Sequence, residues 1–490
     1  MRVVLDETED KVCDLLDRVT RHLSETRPDL PRLTLRIAGG WVRDKLLGKE
    51  CHDLDIAVNH MTGYQLATHV NDFLKAQGLD TRSIAKIQLN PERSKHLETA
   101  TTVIFGLSID FVNLRSETYN ANSRIPIVEF GTPYEDALRR DTTINALFYN
   151  IHSRKVEDFT GKGLEDLRRG LIRTPMAPYE TFRDDPLRVL RVIRFASRFN
   201  FAIVKEVINA IKRPEIKADL AAKISRERVG VEVDKMLCGP NPLLSIQLIH
   251  DYGLFCDIFV LPDNPDFKFT GKLKDPALSL LLARQVHSIL SDPLFSQEPV
   301  QALDSGEVRG IYLACCLYPF IDMTVEEKNK KVVSAAKMIL RDGVKLTNAD
   351  IDTVSTLHGS LGAIDEALIG LRSGELSRVD LGLSIRSIGK KWRSAVLFSC
   401  AVQAALDKQG RDSIVQRHRC LFEKTYEWGL AEVYKMKPIV DGKVAAQLLG
   451  IKPGPVIRKI LDDVIVWQLG NPTGTAEECK RYVVEKFGSK

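Results

Sequence analysis

The stretch RIAGGWVRDKLLG (residues 36–48), with CHDLDIAV (residues 51–58) just after it, decides how the first third of this chain folds. An alternating apolar run, LTLRIA, ends at the pair Gly39-Gly40, and a helical pattern starts at once. Glycines at such a turn let the backbone approach a ligand closely and aim N–H groups at an anion, with a phosphate chain as the natural guest. In the strand that follows, residues i and i+2 leave the same face, so Asp53 and Asp55 aim two carboxylates at one place while Leu54 and Ile56 enter the core. Adjacent anions repel and lose solvation unless a cation lies between them. A pair of Mg²⁺ ions is the arrangement that phosphoryl and nucleotidyl transfer use. Taken singly, a glycine pair is an ordinary tight turn and DxD an ordinary solvated loop; at this spacing they reinforce each other.

Outward from that stretch, the β-rich regime continues through LSIDFVNLR and ALFYNI to about residue 150. Asp110 falls inside an apolar strand, where it needs either a metal or an arginine such as Arg115 as partner. In RRDTTINA, polar and apolar residues alternate behind a basic pair, which puts Arg139, Arg140, Asp141 and Asn145 beside a nucleotide or, more plainly, on a capped helix. From about residue 180 the pattern is helical to the C-terminus, opening with DDPLRVLRVIRFASRF. Proline at the first helical position and Asp at the cap predict a helix start at Asp185-Pro186. Arg188, Arg191 and Arg194 then form a stripe beside apolar Val189, Leu190, Val192, Ile193 and Phe195, so something anionic or flat should lie against it. Arg228 and Glu232 stand four apart and are expected to pair with each other. Proline- and glycine-rich breaks at RTPMAPYE, LPDNPDFKFTGKLKDP and LGNPTGT mark joints.

Composition bounds the rest. With 490 residues, 44% of them hydrophobic, the chain can bury a large core and divide into several domains. A net charge of +5 permits a polyanionic partner without requiring one. Nine scattered cysteines with no CxxC spacing match reduced, buried thiols rather than a disulfide frame or a zinc site. No run reaches the roughly 18 to 20 apolar residues that span a bilayer, so no membrane partner is expected. The acidic N-terminus, MRVVLDETED, is unlike a transit peptide, which predicts a cytoplasmic or nuclear protein for this start site, with a mitochondrial form from an alternative start.

GGWVRD followed by DLDIAV resembles the signature of the DNA polymerase β nucleotidyltransferase superfamily. More narrowly, ALRRDTTINALFYN, VEDFTGKGLEDLRRGLIRTP, TFRDDPLRVLRVIRFASRF and ISRERVGVEVDKML resemble, in order, the remaining motifs of class II tRNA nucleotidyltransferases, the CCA-adding enzymes, with a eukaryotic cast. LLGIKPGPVIRKIL and VWQLGNP extend the likeness towards the C-terminus. The resemblance implies an α/β head, a polymerase β-like palm with a mixed five-stranded sheet and helices, followed by a long all-α neck, body and tail. The expected segments are residues 1–152 for the head, 153–248 for a neck with the base-recognition helices, 249–400 for the body and 401–490 for a tRNA-binding tail.

It further implies template-independent addition of C, C and A from CTP and ATP to tRNA 3′ ends, with two Mg²⁺ ions as cofactor. Carried over residue by residue, Asp53 and Asp55 hold metal and Asp110 completes the catalytic carboxylates. Gly39, Gly40 and Arg43 hold the triphosphate, Asp141 and Asn145 the ribose, and Arg140 phosphate or a neighbouring acid. Asp185 and Arg188 read the base edge, with Arg191 and Arg194 in support; Asp184 stands where the family usually has Glu. The segment KIQLNPERSKHLETATT, and within it Asn90 to Lys95, is expected to be a mobile element tied to the switch from C to A. In the tail, Lys452, Arg458 and Lys459 flank a helix start and are expected to touch tRNA phosphates, the acceptor stem and elbow being the parts held, by a monomeric enzyme. A bacterial-type poly(A) polymerase and a catalytically silent tRNA-binding protein are the rival readings of the same residues.

Overall fold

The computed structural model describes residues 2–51, 53–87, 99–118, 127–292, 303–328, 330–406, 410–452 and 454–488. Two units follow from its contacts: Met1–Asn241 with Asp251–Asp257, and Pro242–His250 with Ile258–Lys490.

The first unit opens with helix α1 (Glu7–Thr26), fixed at its start by a capping box between Asp6 and Glu9. The head elements are β1 (Leu35–Ala38), α2 (Gly40–Leu46), β2 (Leu54–Val58), α3 (Gly63–Ala76), β3 (Ala85–Ile87), β4 (Thr99–Ile104), β5 (Leu107–Asn113), β6 (Arg115–Thr118), β7 (Ile127–Phe130), α4 (Pro133–Leu138), β8 (Phe148–Asn150) and β9 (Lys155–Glu157). Seven of the strands form one sheet in the order β3-β4-β5-β2-β1-β8-β9. It is mixed, β2 and β5 running parallel and the other pairs antiparallel. Five strands were expected; the structure adds short edge strands, β3 and β9 being three residues each, too brief to leave an alternating pattern.

Alternation within the strands sorts the two faces. Leu35, Ile37, Leu54, Ile56, Ile109 and Phe111 are buried on one side, where α3 packs. Gly63 at the start of α3 makes that packing feasible, since a Cβ there would lie 1.9 Å from the Phe111 carbonyl oxygen. The opposite face carries Asp55, Ala57, Asp110, Val112 and Ala38, and its small side chains belong to a cluster with Ala137, Ala146 and Phe148. Alanines on that face leave room for a ligand above the sheet.

Beyond the sheet come α5 (Gly163–Arg169), β10 (Leu171–Ile172), α6 (Pro178–Asp184), α7 (Arg188–Phe199), β11 (Ala202–Ile203), α8 (Lys205–Ile211), α9 (Pro214–Lys223) and α10 (Arg226–Leu237). The helix expected to begin at Asp185-Pro186 begins instead at Arg188. Asp185 ends α6 in an extended conformation, and a turn bonded from Arg188 N to the Asp185 carbonyl bridges the two helices.

Among the described residues, the second unit is helical apart from a three-stranded antiparallel sheet of β12 (Lys268–Thr270), β13 (Thr324–Glu326) and β14 (Val332–Ser334). This sheet and the parallel pair β10-β11 correct the all-α expectation. β12 lies in the proline- and glycine-rich stretch that sequence marks as a joint. Its C-terminal helices Gly442–Leu449, Pro455–Gly470 and Ala476–Phe487 close on a core of Val440, Ala445, Ile460, Val464, Cys479 and Val483.

Candidate active site

The parallel register of β2 and β5 sets Asp55 directly beside Asp110. Asp53, exposed, immediately precedes β2. Burial pushes the Asp55 carboxyl up to about 6; Arg140 opposes the rise, while Asp53, Asp110 and Asp136 add to it by repulsion. Arg115 does not pair with Asp110: its Nε stands 2.6 Å from Glu117, and Asp110 instead accepts a hydrogen bond from Thr101 Oγ1 at 2.5 Å. Among the described residues, no group of three or more His, Cys, Asp or Glu side chains is gathered to hold a metal. What the strands supply is a pair of adjacent carboxylates short of positive charge.

At the end of β1, Gly39 takes a φ of 72°, a backbone conformation that favours glycine, and a Cβ there would stand 2.6 Å from Arg140 Nη1. Arg140 donates to Asp136 at 2.9 and 3.1 Å and to the Asn145 carbonyl at 3.1 Å, with its guanidinium over Phe148. Of the two roles expected for Arg140, it is the acid that occupies it here. Arg43 is buried; its Nε donates to Asp44 at 2.8 Å and its Nη1 to Asn145 Oδ1. Asn145 Nδ2 in turn donates to Asp141 at 2.9 Å. Burial alone would raise the Asp141 carboxyl, but Arg191 at 2.6 Å and the Asn145 hydrogen bond hold it well below the usual carboxylate range. A chain of alternating donors and acceptors therefore runs from α2 to α7.

The third corner lies between α6 and α10. Asp185 accepts from Leu187 N at 3.2 Å through Oδ1 and from Arg228 Nη2 at 3.1 Å through Oδ2. Arg188 donates to the carbonyls of Arg139 at 2.7 Å and Thr181 at 3.4 Å. Arg194 pairs with Glu232 at 2.6 Å. The expected Arg228–Glu232 pair is thus replaced: packing of α10 on α7 brings Arg228 to Asp185 and Glu232 to Arg194, which is a more buried partner for Glu232 than Arg228 is.

These corners share one cavity of about 550 Å³. Gly40, Arg43, Asp55, Arg140, Asp141, Asn145, Asp185, Arg188, Arg191 and Arg194 all line it, whereas Gly39, Asp53 and Asp110 are not among its walls. Nine arginines against five acidic side chains in the lining make it suited to a polyanion. Sequence reasoning missed Asp136, only 1% exposed, which holds both Arg139 and Arg140; its position three and four residues ahead of them was the available signal. It missed Arg198 too, four residues beyond Arg194 and so a continuation of the same stripe, and Glu117, which nothing local marks. Lys452, Arg458 and Lys459 belong to the second unit, exposed around the start of helix Pro455–Gly470, where Gly454 is the cap and Pro455 the first residue. Asn90 to Lys95 lie outside the described residues.

Comparison with known proteins gives the following. Residues 35–173 match the family described as poly A polymerase head domain, and residues 200–266 one described as the probable RNA and SrmB-binding site of polymerase A. The mitochondrial CCA tRNA nucleotidyltransferase of Saccharomyces cerevisiae is 41% identical, over 97% of this chain and 92% of its own length. The tRNA nucleotidyltransferase cca1 of Schizosaccharomyces pombe is 38% identical, over 98% and 97%. Among solved structures, the Bacillus stearothermophilus CCA-adding enzyme in complex with CTP shares the fold with a TM-score of 0.65 at 20% identity, covering 98% of each chain.

Proposed function

Because the chain belongs to the CCA tRNA nucleotidyltransferases, a family of enzymes, we propose that it extends tRNA 3′ ends by C, C and A from CTP and ATP, without a nucleic-acid template. The observation that carries this reading is the shared cavity, in which Asp55, the Arg43–Asn145–Asp141 chain and the Asp185–Arg188 pair face one space. We extend the proposal to a mitochondrial pool, in line with the name of the Saccharomyces relative.

The fit to magnesium rests on Asp55. Its carboxyl is destabilised as an anion by burial and by Asp53 and Asp110, which a hard cation would relieve. Asp53 and Asp55 would hold the ions, substrate phosphates completing the oxygen shell, as Mg²⁺ prefers to a cage made by protein alone. When bound, such a pair supplies a lowered pKa for the attacking 3′-hydroxyl and neutralises charge on the departing pyrophosphate. The chain's own groups do the rest. Arg43, with Gly39 and Gly40 keeping the backbone close, holds the triphosphate; Arg140 faces the same charge while Asp136 keeps it oriented. Asp141 and Asn145 offer an acceptor and a donor to ribose hydroxyls.

At the base edge, cytosine and adenine both present an exocyclic amino group beside a ring-nitrogen acceptor. The Asp185 carboxylate accepts from the first, and the Arg188 guanidinium donates to the second. Uracil and guanine present the reverse, an acceptor facing the carboxylate and a donor facing the guanidinium, and that mismatch is the selection. In the second unit, Lys452, Arg458 and Lys459 would hold tRNA phosphates without reading sequence.

The test is to incubate the protein with Mg²⁺ and a tRNA lacking its last three nucleotides. CTP alone should add two residues, and CTP with ATP three and no more. A long adenosine tail would favour a poly(A) polymerase, and no extension a silent binder.

A further inference from the structure

Phe195 and Phe199 stand one turn apart on α7, with ring centroids 6.2 Å apart and planes within 10° of parallel. Around them gather more cations than two side chains usually attract. The Arg43 guanidinium lies 5.2 Å from the Phe195 centroid and 4.7 Å from that of Phe199. Arg194 is 4.2 Å and Arg191 5.5 Å from Phe195, while Arg198 is 5.1 Å and the Lys49 ammonium 4.9 Å from Phe199. All four of these arginines, together with Phe195 itself, line the cavity.

The acids of the site grip these guanidinium groups by their N–H edges: Asp44 for Arg43, Asp141 for Arg191 and Glu232 for Arg194. An edge contact alone leaves a planar group able to swing about it. A ring set against the guanidinium fixes the plane and leaves the edges to acceptors, and its quadrupole also offsets the repulsion among like charges held this close.

We propose that Phe195 and Phe199 are positioning residues for the nucleotide: an aromatic ledge on α7 that orients Arg43, Arg191 and Arg194 so that their N–H edges meet the triphosphate and nucleoside. The proposal rests on the reading of the cavity as a CTP and ATP site. It assigns to these side chains a role in binding exercised through the arginines, and it separates that role from the packing any apolar side chain would provide.

The experiment replaces Phe195, and separately Phe199, with phenylalanines carrying one, two and three ring fluorines. This series keeps size and burial nearly constant while withdrawing the quadrupole. Equilibrium binding of CTP and of ATP to the full chain, with thermal midpoints recorded for each variant, needs no turnover. Affinity should fall stepwise with fluorine number at position 195, by about threefold to tenfold at three fluorines, with unchanged thermal midpoints and a smaller trend at 199. Phe199→Leu, at the less buried ring, should weaken binding and Phe199→Tyr restore it. Fluorinated variants that bind as tightly as a parent that binds both nucleotides would overturn the ledge alone. Affinity that tracks the thermal midpoint instead of fluorine number would likewise reduce both rings to packing. A parent that binds neither CTP nor ATP would overturn the reading of the cavity and this proposal with it.

Discussion

Asp55→Asn should stabilise the first unit while removing its catalytic use. With the folded carboxyl at about 6 against an ordinary 3.8, the ionised form costs about 3 kcal/mol of stability at pH 7.5, burial being the main cause and Asp53, Asp110 and Asp136 contributing. A carboxyl whose pKa is raised by folding has its most favourable contribution below 3.8 and loses it as pH climbs through 6. The advantage of the amide should therefore be full at pH 7.5, about half gone near pH 5, and about four-fifths gone near pH 4. For a unit of this size about 3 kcal/mol corresponds to a melting shift of roughly 6 to 12 °C. The assay is calorimetry of parent and variant from pH 4.5 to 8 in chelator, repeated with millimolar Mg²⁺, which should stabilise the parent and leave the variant where it was. An amide variant no more stable than the parent at pH 7.5, or a gap that does not close on acidification, would refute the idea that this carboxylate is held short of positive charge.

Arg228→Leu should cut the preference for CTP over UTP by about fivefold to tenfold in single-turnover competition, because Asp185 loses the partner that fixes its Oδ2; equal losses for both nucleotides would make Arg228 a packing residue only. In the second unit, His418 is buried and His358 half-buried against helix Trp392–Leu406, His358 stacked on Phe398 and bonded to the Ala314 carbonyl, His418 bonded to Ser399 and the Ile414 carbonyl. Burial pushes both down to about 4 from 6.5, so the stability they allow is complete above pH 6.5 and is lost on acidification, by about 3 kcal/mol in total at pH 5.5; denaturant titrations of the parent and of His418→Leu across that range should show a shallower loss in the variant. Changing Lys452, Arg458 and Lys459 together to Ala should weaken tRNA binding and lower its salt slope by about 2 to 3 while leaving CTP affinity alone, as measured by titration at several salt concentrations.

How far the sequence discloses this molecule follows from how local each signal is. The Gly39-Gly40 turn, the Asp53–Asp55 spacing and the arginine stripe of α7 are visible because strand and helix periods span only a few residues. The partners of those residues are not. Asp185 meets Arg228 and Arg194 meets Glu232 across packed helices, 43 and 38 residues along the chain, and the locally plausible Arg228–Glu232 pair loses to both. Strands of two or three residues, such as β9, β10 and β12, carry too few side chains to show alternation. Asp185 looked like a helix cap because Asp-Pro is a good helix opening; the structure uses it as the link between two helices, which turns its carboxylate towards the cavity.

The claim that a protein surface chooses the base is tested most directly by competition between CTP and UTP, and between ATP and GTP, on one tRNA with the Asp185→Ala/Arg188→Ala variant. Each hydrogen bond to a charged group is worth roughly 1.5 to 3 kcal/mol, so the ratio of right to wrong incorporation should fall by at least about tenfold, whatever happens to the overall rate. A variant that is slow yet as selective as its parent would contradict the account, because some other surface would then be reading the base.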